Sequence, residues 1–370
     1  MRALIGFLPI WLLLTMFAFA TERLVYLDGA RIEIVRKAGA GEGSPFRRSI
    51  RTVLSDEGAV LVKPIDPVIN KTAPPPSGSK NDYFSVRPYW WPNPDTAYGL
   101  PWVRRDGETN PMTRGPHTDR LRLAAMFDDL ETLNLAFLIS QDRRYAARLG
   151  EIVTAWFIDT RTRVNPNVSF GQAVPGRSKG RAEGIIEWGG VSNLVSTAQL
   201  LKQGERWPSA SQAALDQWLR DYLIWLRTSA IGQDAENRKN NHGSWYDHTT
   251  IGLMIYLGDE AGARTKAQTA KAKRIAEQIA PNGVQIHETE RTKSISCSAM
   301  NLWALTNVAR LARQVDVDLF AFETQNGVGL QDAFAFLAPF ANGAQDWKNE
   351  QISEGGGRCG HLQRSQPNDC

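Results

Sequence analysis

From Thr118 onward, apolar side chains in this 370-residue chain recur at intervals of three and four. Leu123, Phe127, Leu130, Phe137 and Leu138, with Asn134 among them, mark one buried helix face. Asp142 stands where an N-cap is needed. Tyr145, Leu149, Ile152, Val153, Trp156 and Phe157 then line one side of the next helix. The same spacing predicts helices over 191–203, around Leu215, Trp218, Leu219, Tyr222 and Leu226, and over 244–257, 260–279, 294–314 and 317–339. Upstream, residues 47–63 have a helical pattern. Trp207-Pro208, Pro281-Asn282-Gly283 and Asn326-Gly327 punctuate the joins, and period-two alternation is scarce. Paired helices without a strict sequence repeat predict an all-α fold, an incomplete toroid of antiparallel helical hairpins with end loops forming a cleft.

Residues 71–79 break regular structure, and residues 83–116 are rich in Pro, Trp, Asn and Gly with no sustained period. A long loop of this kind is functional or disordered, and its aromatic density argues for order.

At the N-terminus Arg2 precedes an apolar run to about Phe17, then Ala18-Phe19-Ala20 and the polar Thr21-Glu22-Arg23. The run is short for a membrane span and reads as a secretory signal over residues 1–20, with an uncleaved anchor as the competing reading. The expected organisation is that signal, one domain over 21–352, and a divergent Gly-rich tail over 353–370. A periplasmic or secreted, monomeric protein is expected. Three cysteines leave one thiol over: Cys359 and Cys370 share the tail, and Cys297 lies in a helical pattern. Cys-x-x-Cys and His-Glu-x-x-His are absent from the sequence, so no metal or other cofactor is expected. A net charge of +4 is too low for a nucleic-acid binder and suits a polyanionic substrate. The 12 Trp offer flat faces for sugar rings as well as core volume.

Reactive side chains concentrate in three patches. Arg87-Pro88-Tyr89-Trp90-Trp91-Pro92 puts three aromatic rings beside a cation on a proline-stiffened loop. Asn240-Asn241-His242-Gly243-Ser244-Trp245-Tyr246-Asp247-His248 precedes a predicted helix, and its polar groups are too dense for a core segment. His287-Glu288-Thr289-Glu290-Arg291-Thr292-Lys293-Ser294 leads into Cys297 and Asn301. Its acidic residues suit the macrodipole of a helix start, which leaves His287, Arg291 and Lys293 to be explained.

Together with Tyr83-Phe84-Ser85, Leu100-Pro101-Trp102-Val103-Arg104-Arg105-Asp106-Gly107 and Asn110-Pro111, these patches resemble the alginate-lyase domain superfamily, nearest its glucuronan-lyase-like branch. The resemblance spans about Leu27 to Ile352. It implies an incomplete α/α toroid, a polyuronate substrate and no obligatory metal. It also implies β-elimination, in which the C5 proton of a 4-linked uronate leaves and the C4 oxygen is expelled. Charge that develops on the substrate must be stabilised, and a base and an acid are needed. Asn241, His242 and Arg291 match the family's neutralising positions. Arg87, Tyr89, Trp90, Trp91, Glu187, Tyr246 and His287 are the expected substrate contacts. On β-linked uronates one residue can serve as base and acid, and the family uses Tyr there.

The sequence departs from that pattern in three places. Cys297 occupies the Tyr position, which implies weak or lost activity, or another base such as Tyr246 or His242. The tail after Ile352 is unrelated, and Asn81 replaces a usual His. Two other readings stay open. An inverting glycoside hydrolase would draw two carboxylates from Glu183, Glu187, Asp247 and Glu290. A non-catalytic binder of acidic glycans would need no base at all.

Overall fold

The computed structural model describes residues 23–39, 43–105, 107–203 and 207–352. The expected signal, the tail, and Cys359 and Cys370 lie outside the described residues. Two helices, α1 (Gly29–Gly39) and α2 (Arg47–Val62), open the fold. Then follow α3 (Arg120–Ser140) and α4 (Arg143–Val153), α5 (Val191–Gln203) and α6 (Ser209–Thr228), and a short α7 (Ala230–Glu236). The last half holds α8 (Asn241–Tyr256), α9 (Glu260–Ala270), α10 (Ile286–Thr289), α11 (Ser294–Arg313) and α12 (Leu330–Ala341). Four short strands sit between: β1 (Phe84–Val86) pairs in parallel with β4 (Phe170–Ala173), and β2 (Trp90–Trp91) pairs antiparallel with β3 (Val103–Arg104).

The helices form two layers. One consists of α3, α5, α8 and α11, each packed on the next; α4, α6 and α9 back the joints between them, and α12 backs α11. Connections within the first three pairs are short, so each pair is an antiparallel hairpin. The starts of the first-layer helices lie side by side: Asn193 of α5 donates to the Phe127 carbonyl of α3, Gly189 ahead of α5 approaches Trp245 of α8, and Asn241 of α8 donates to Glu288 ahead of α11. Their N-termini collect at one end of an incomplete α/α toroid, as the sequence pattern predicts.

Side-chain caps start several of the helices. The Asp142 carboxylate accepts the Arg144 N–H and starts α4, and Asn240 caps α8 through the His242 N–H. π-helical turns at Thr154–Ile158 and Lys271–Ala276 extend α4 and α9, so the apolar period runs past their α-helical ends. Two expectations fail. Residues 317–329 are not helical; turns and a Glu323–Gly329 bridge occupy them, and only Leu330–Ala341 is helix. Val317, Leu319 and Val328 are buried from an irregular chain, which apolar spacing alone does not distinguish from helix.

The second failure concerns the polar stretch at 240–248. It forms the start of α8, and every residue from Asn241 to Met254 is buried. The charged and hydroxyl groups of this stretch are paired within the core. Asp247 meets Arg274 at 2.7 Å and Lys266 at 3.0 Å, and Ser244 donates to Gln278. The tryptophans serve the core too. Trp188 stacks on Trp218, which stacks on Tyr222, with Phe157 edge-on to Trp218.

Candidate active site

Four segments meet at the N-terminal end of the first layer. The loop after β1 carries Arg87, and the 3-10 segment Ala182–Trp188 carries Glu183 and Glu187. The start of α8 carries Asn241 and His242, and the turn between α10 and α11 carries Arg291. Two glycines let these segments close up. A Cβ on Gly184 would lie 2.6 Å from the backbone of Gly171 in β4, so only glycine seats the Glu183 segment there. A Cβ on Gly243 would lie 2.1 Å from the Arg238 carbonyl, which crosses the first turn of α8.

Glu183 is the anionic hub of the cluster. Its Oε1 lies 2.6 Å from Arg181, 3.5 Å from Arg87 and 3.8 Å from Arg238, and its Oε2 has no hydrogen-bond partner. Burial opposes ionisation, but the Arg181 and Arg87 guanidinium groups outweigh it and hold the carboxyl below its ordinary value. Around the same point, burial lowers the Arg87 pKa to about 10, with Arg181, Arg104 and Arg291 adding repulsion; the guanidinium stays charged at neutral pH. His242 feels the same field. Burial pushes its pKa down to about 3, helped by Arg291, Arg87 and Arg238 and opposed by Glu183. Its imidazole is therefore neutral across the physiological range, and Nδ1 has no hydrogen-bond partner.

Asn241 is held from behind. Its backbone N–H donates to Glu288 Oε1 at 2.6 Å and its Nδ2 to Glu288 Oε2 at 2.7 Å. Sequence reasoning assigns Glu288 to the helix macrodipole; instead it is buried and grips the site. The Glu-x-x-Arg spacing, which sets Glu288 and Arg291 on one helical turn, is the signal that points to it. Arg181 and Arg238 carry no such signal among 43 Lys and Arg residues.

The structure brings together Arg87, Asn241, His242 and Arg291. It places the aromatic loop beside them differently from expectation. Tyr89 is buried with the Lys293 ammonium 5.6 Å from its ring centre. Trp90 and Trp91 are half-buried and carry the guanidinium groups of Arg177 and Arg105 on their faces, at 5.2 and 5.1 Å. His287 is half-buried on α10. Asn81 braces the loop by donating to the Arg163 carbonyl at 2.7 Å.

Three expected site residues leave the substrate surface. Glu187 is a core residue: it accepts from Tyr83 at 2.7 Å, from Arg120 at 2.8 Å and from Ser85, so both oxygens are occupied. Tyr246 points away from the cluster and donates to the Leu226 carbonyl at 3.0 Å. Burial raises its phenol well above the usual range, so it is no base at neutral pH. Cys297 has no exposed surface in the first turn of α11. Asn301, one turn on, is bonded to Gln278 and Gln285. A Tyr ring at position 297 has no open surface to enter. Cys297→Tyr is therefore expected to cost about 1–3 kcal/mol in stability and to bring no gain in activity. Denaturant melts and rate assays of both proteins check this; a faster, equally stable Tyr variant would return position 297 to the site. The carboxylates for a hydrolase are also spent. Glu187 and Asp247 lie in buried ion pairs and Glu290 is exposed, which leaves Glu183 alone in the cluster.

Residues 68–347 match the family described as alginate lyase. An alginate lyase from Bacteroides ovatus has a similar structure, with a TM-score of 0.84 and 29% identity over 90% of this chain and 87% of that one. Alginate lyase A1-III from Sphingomonas species A1 aligns at 16% identity over 81% and 82% of the two chains, with a TM-score of 0.48. A variant of A1-III complexed with tetrasaccharide reaches a TM-score of 0.50 at 16% identity, over 79% of this chain and 77% of that one, a likeness of fold alone. No curated protein sequence matches the chain. With the family matched across most of its length and an α/α toroid built around an Asn-His-Arg cluster, the chain belongs to the alginate lyase family of polysaccharide lyases.

Proposed function

We propose that this site cleaves a β-1,4-linked polyuronate, glucuronan ahead of mannuronan, by β-elimination between C5 and C4. One observation carries the reading: a neutral, buried imidazole with an unpartnered Nδ1 stands in the field of Arg87, Arg238 and Arg291. The guanidinium groups and the N-termini of the first helix layer attract a substrate carboxylate. Once that charge is offset, the C5 proton becomes acidic enough to remove. Tyr246 and Cys297 lie in the core, which leaves His242 as the base. The imidazole takes the C5 proton, and the freed electron pair forms the C4–C5 double bond. The C4–O bond breaks, and the resulting imidazolium returns its proton to the leaving O4. In β-linked glucuronate or mannuronate both atoms lie on one face of the ring, so a single group reaches both.

The test is a panel of polyuronates, followed through the absorbance of the unsaturated product. Glucuronan is expected to turn over fastest, and shortening without a conjugated double bond would replace elimination with hydrolysis. Binding should also weaken as salt is raised, because Arg87, Arg238 and Arg291 are only half-buried. Calorimetry at two ionic strengths checks this. Equal affinity for neutral cellulose would sink the polyuronate reading.

A further inference from the structure

Asn241 is gripped at both of its donors by one carboxylate. Glu288 takes the backbone N–H on one oxygen and the side-chain N–H on the other, at 2.6 and 2.7 Å. The carboxylate itself is 1% exposed. The two bonds fix which end of the amide faces which way: Nδ2 lies toward Glu288, and the buried Oδ1 is left without a partner. An amide is nearly symmetric in shape, so packing alone holds either orientation about equally well; only the chemistry of the partner selects one.

We infer that Glu288 is a positioning residue whose ionised carboxylate fixes the orientation of the Asn241 amide, and with it the hydrogen-bonding pattern offered to the substrate carboxyl group. This rests on the lyase reading of the site for its effect on rate, and on geometry alone for the coupling between the two side chains. The surroundings isolate that coupling. Arg291 is the charged group that bears on Glu288. On the side of α11, Gln285 at the start of α10 meets Ser298 and Asn301, which are neutral. His242, the next residue along α8, is neutral at any pH above about 3.

The orientation then depends on pH. Burial raises the Glu288 pKa to about 7 against the lowering pull of the two Asn241 bonds and Arg291. Above that value both oxygens accept, and the amide is held one way. Below it one oxygen carries a proton, loses its ability to accept from Nδ2, and pairs better with Oδ1 of a reversed amide.

The experiment uses the whole protein and the Glu288→Gln variant. Glutamine keeps the shape, but its NH₂ confronts that of Asn241, so the amide must reverse at every pH. In wild type labelled with ¹⁵N-asparagine, the Asn241 side-chain amide signal, assigned by its absence from Asn241→Ala, should shift with a midpoint near pH 7. In Glu288→Gln it should not titrate. kcat/KM of wild type on glucuronan should fall below pH 7. In Glu288→Gln that limb should vanish and kcat should drop about 10–100-fold, because the reversed amide presents its NH₂ group where the wild type presents the Oδ1 acceptor. An Asn241 signal that stays constant from pH 5.5 to 8.5 in wild type overturns the inference, and that measurement stands even if the variant fails to fold. A titrating wild type with an equally active variant overturns the catalytic half. A titrating signal in a protein that neither binds nor cleaves any polyuronate leaves the positioning intact and removes the lyase reading instead.

Discussion

Arg291→Ala is expected to reduce formation of unsaturated product by about 10²–10³-fold or more, the scale of losing one group that stabilises developing charge. Arg291 lies in the same field as His242 and Glu288, on the turn that leads into α11. His242→Ala is expected to do at least as much damage, because the proposed base and acid disappear together. General acid–base terms are worth about 10²–10⁴-fold. The two effects should not add, since both act on one transition state. Arg291 is half-buried on a turn and His242 fills the buried first turn of α8, so the His242 variant should lose some stability while both keep their helical circular dichroism. Rate assays with spectra alongside check both points. Variants that retain wild-type rates would detach these residues from the chemistry, and a collapsed spectrum would make them structural.

Glu187→Ala is expected to produce the largest loss of stability, about 3–5 kcal/mol, because it leaves the Arg120 guanidinium charged and uncompensated in the core. The Glu187 and Arg120 side chains are 1% and 5% exposed. Tyr83 and Ser85 lose their acceptor in the same step, so β1 comes loose from the 3-10 segment behind it. A fall in melting temperature of about 5–15 °C follows from that energy for a chain of this size. Replacing Arg120 and Glu187 together by Met should cost much less than Glu187→Ala alone, since no orphan charge remains. Denaturant unfolding of the single and double variants is the measurement. A single variant as stable as wild type would show that Glu187 is exposed to solvent, and would return it to the substrate surface where the sequence placed it.

The helices were legible because burial imposes a period. The apolar spacing over 191–203 coincides with α5 from end to end, and Asp142 gives the start of α4. The period fails where chain is buried without being helical, as at Val317 and Leu319, since an apolar side chain looks the same in either state. It also says nothing about short helices such as α7 and α10, which are held by their neighbours rather than by their own pattern.

The chemistry divides in the same way. The sequence, through motifs that resemble the family, pointed to Arg87, Asn241, His242 and Arg291, and the fold brings these four together. Only the tertiary structure decided which polar side chains join the charged cluster and which are tied into the core. Glu187 and Glu183 are four residues apart on one 3-10 segment, yet one is tied into the core by three donors and the other keeps an unpartnered oxygen among arginines. Tyr246 follows His242 by four residues on α8 but donates into the backbone of α6. Cys297 holds a family position in the sequence and has no surface in the fold. A residue's type and spacing are local properties, whereas its ionisation and its partners depend on which distant segments desolvate it. For His242 those segments are the ones carrying Arg87, Glu183, Arg238 and Arg291, brought together only when the first layer of helices closes.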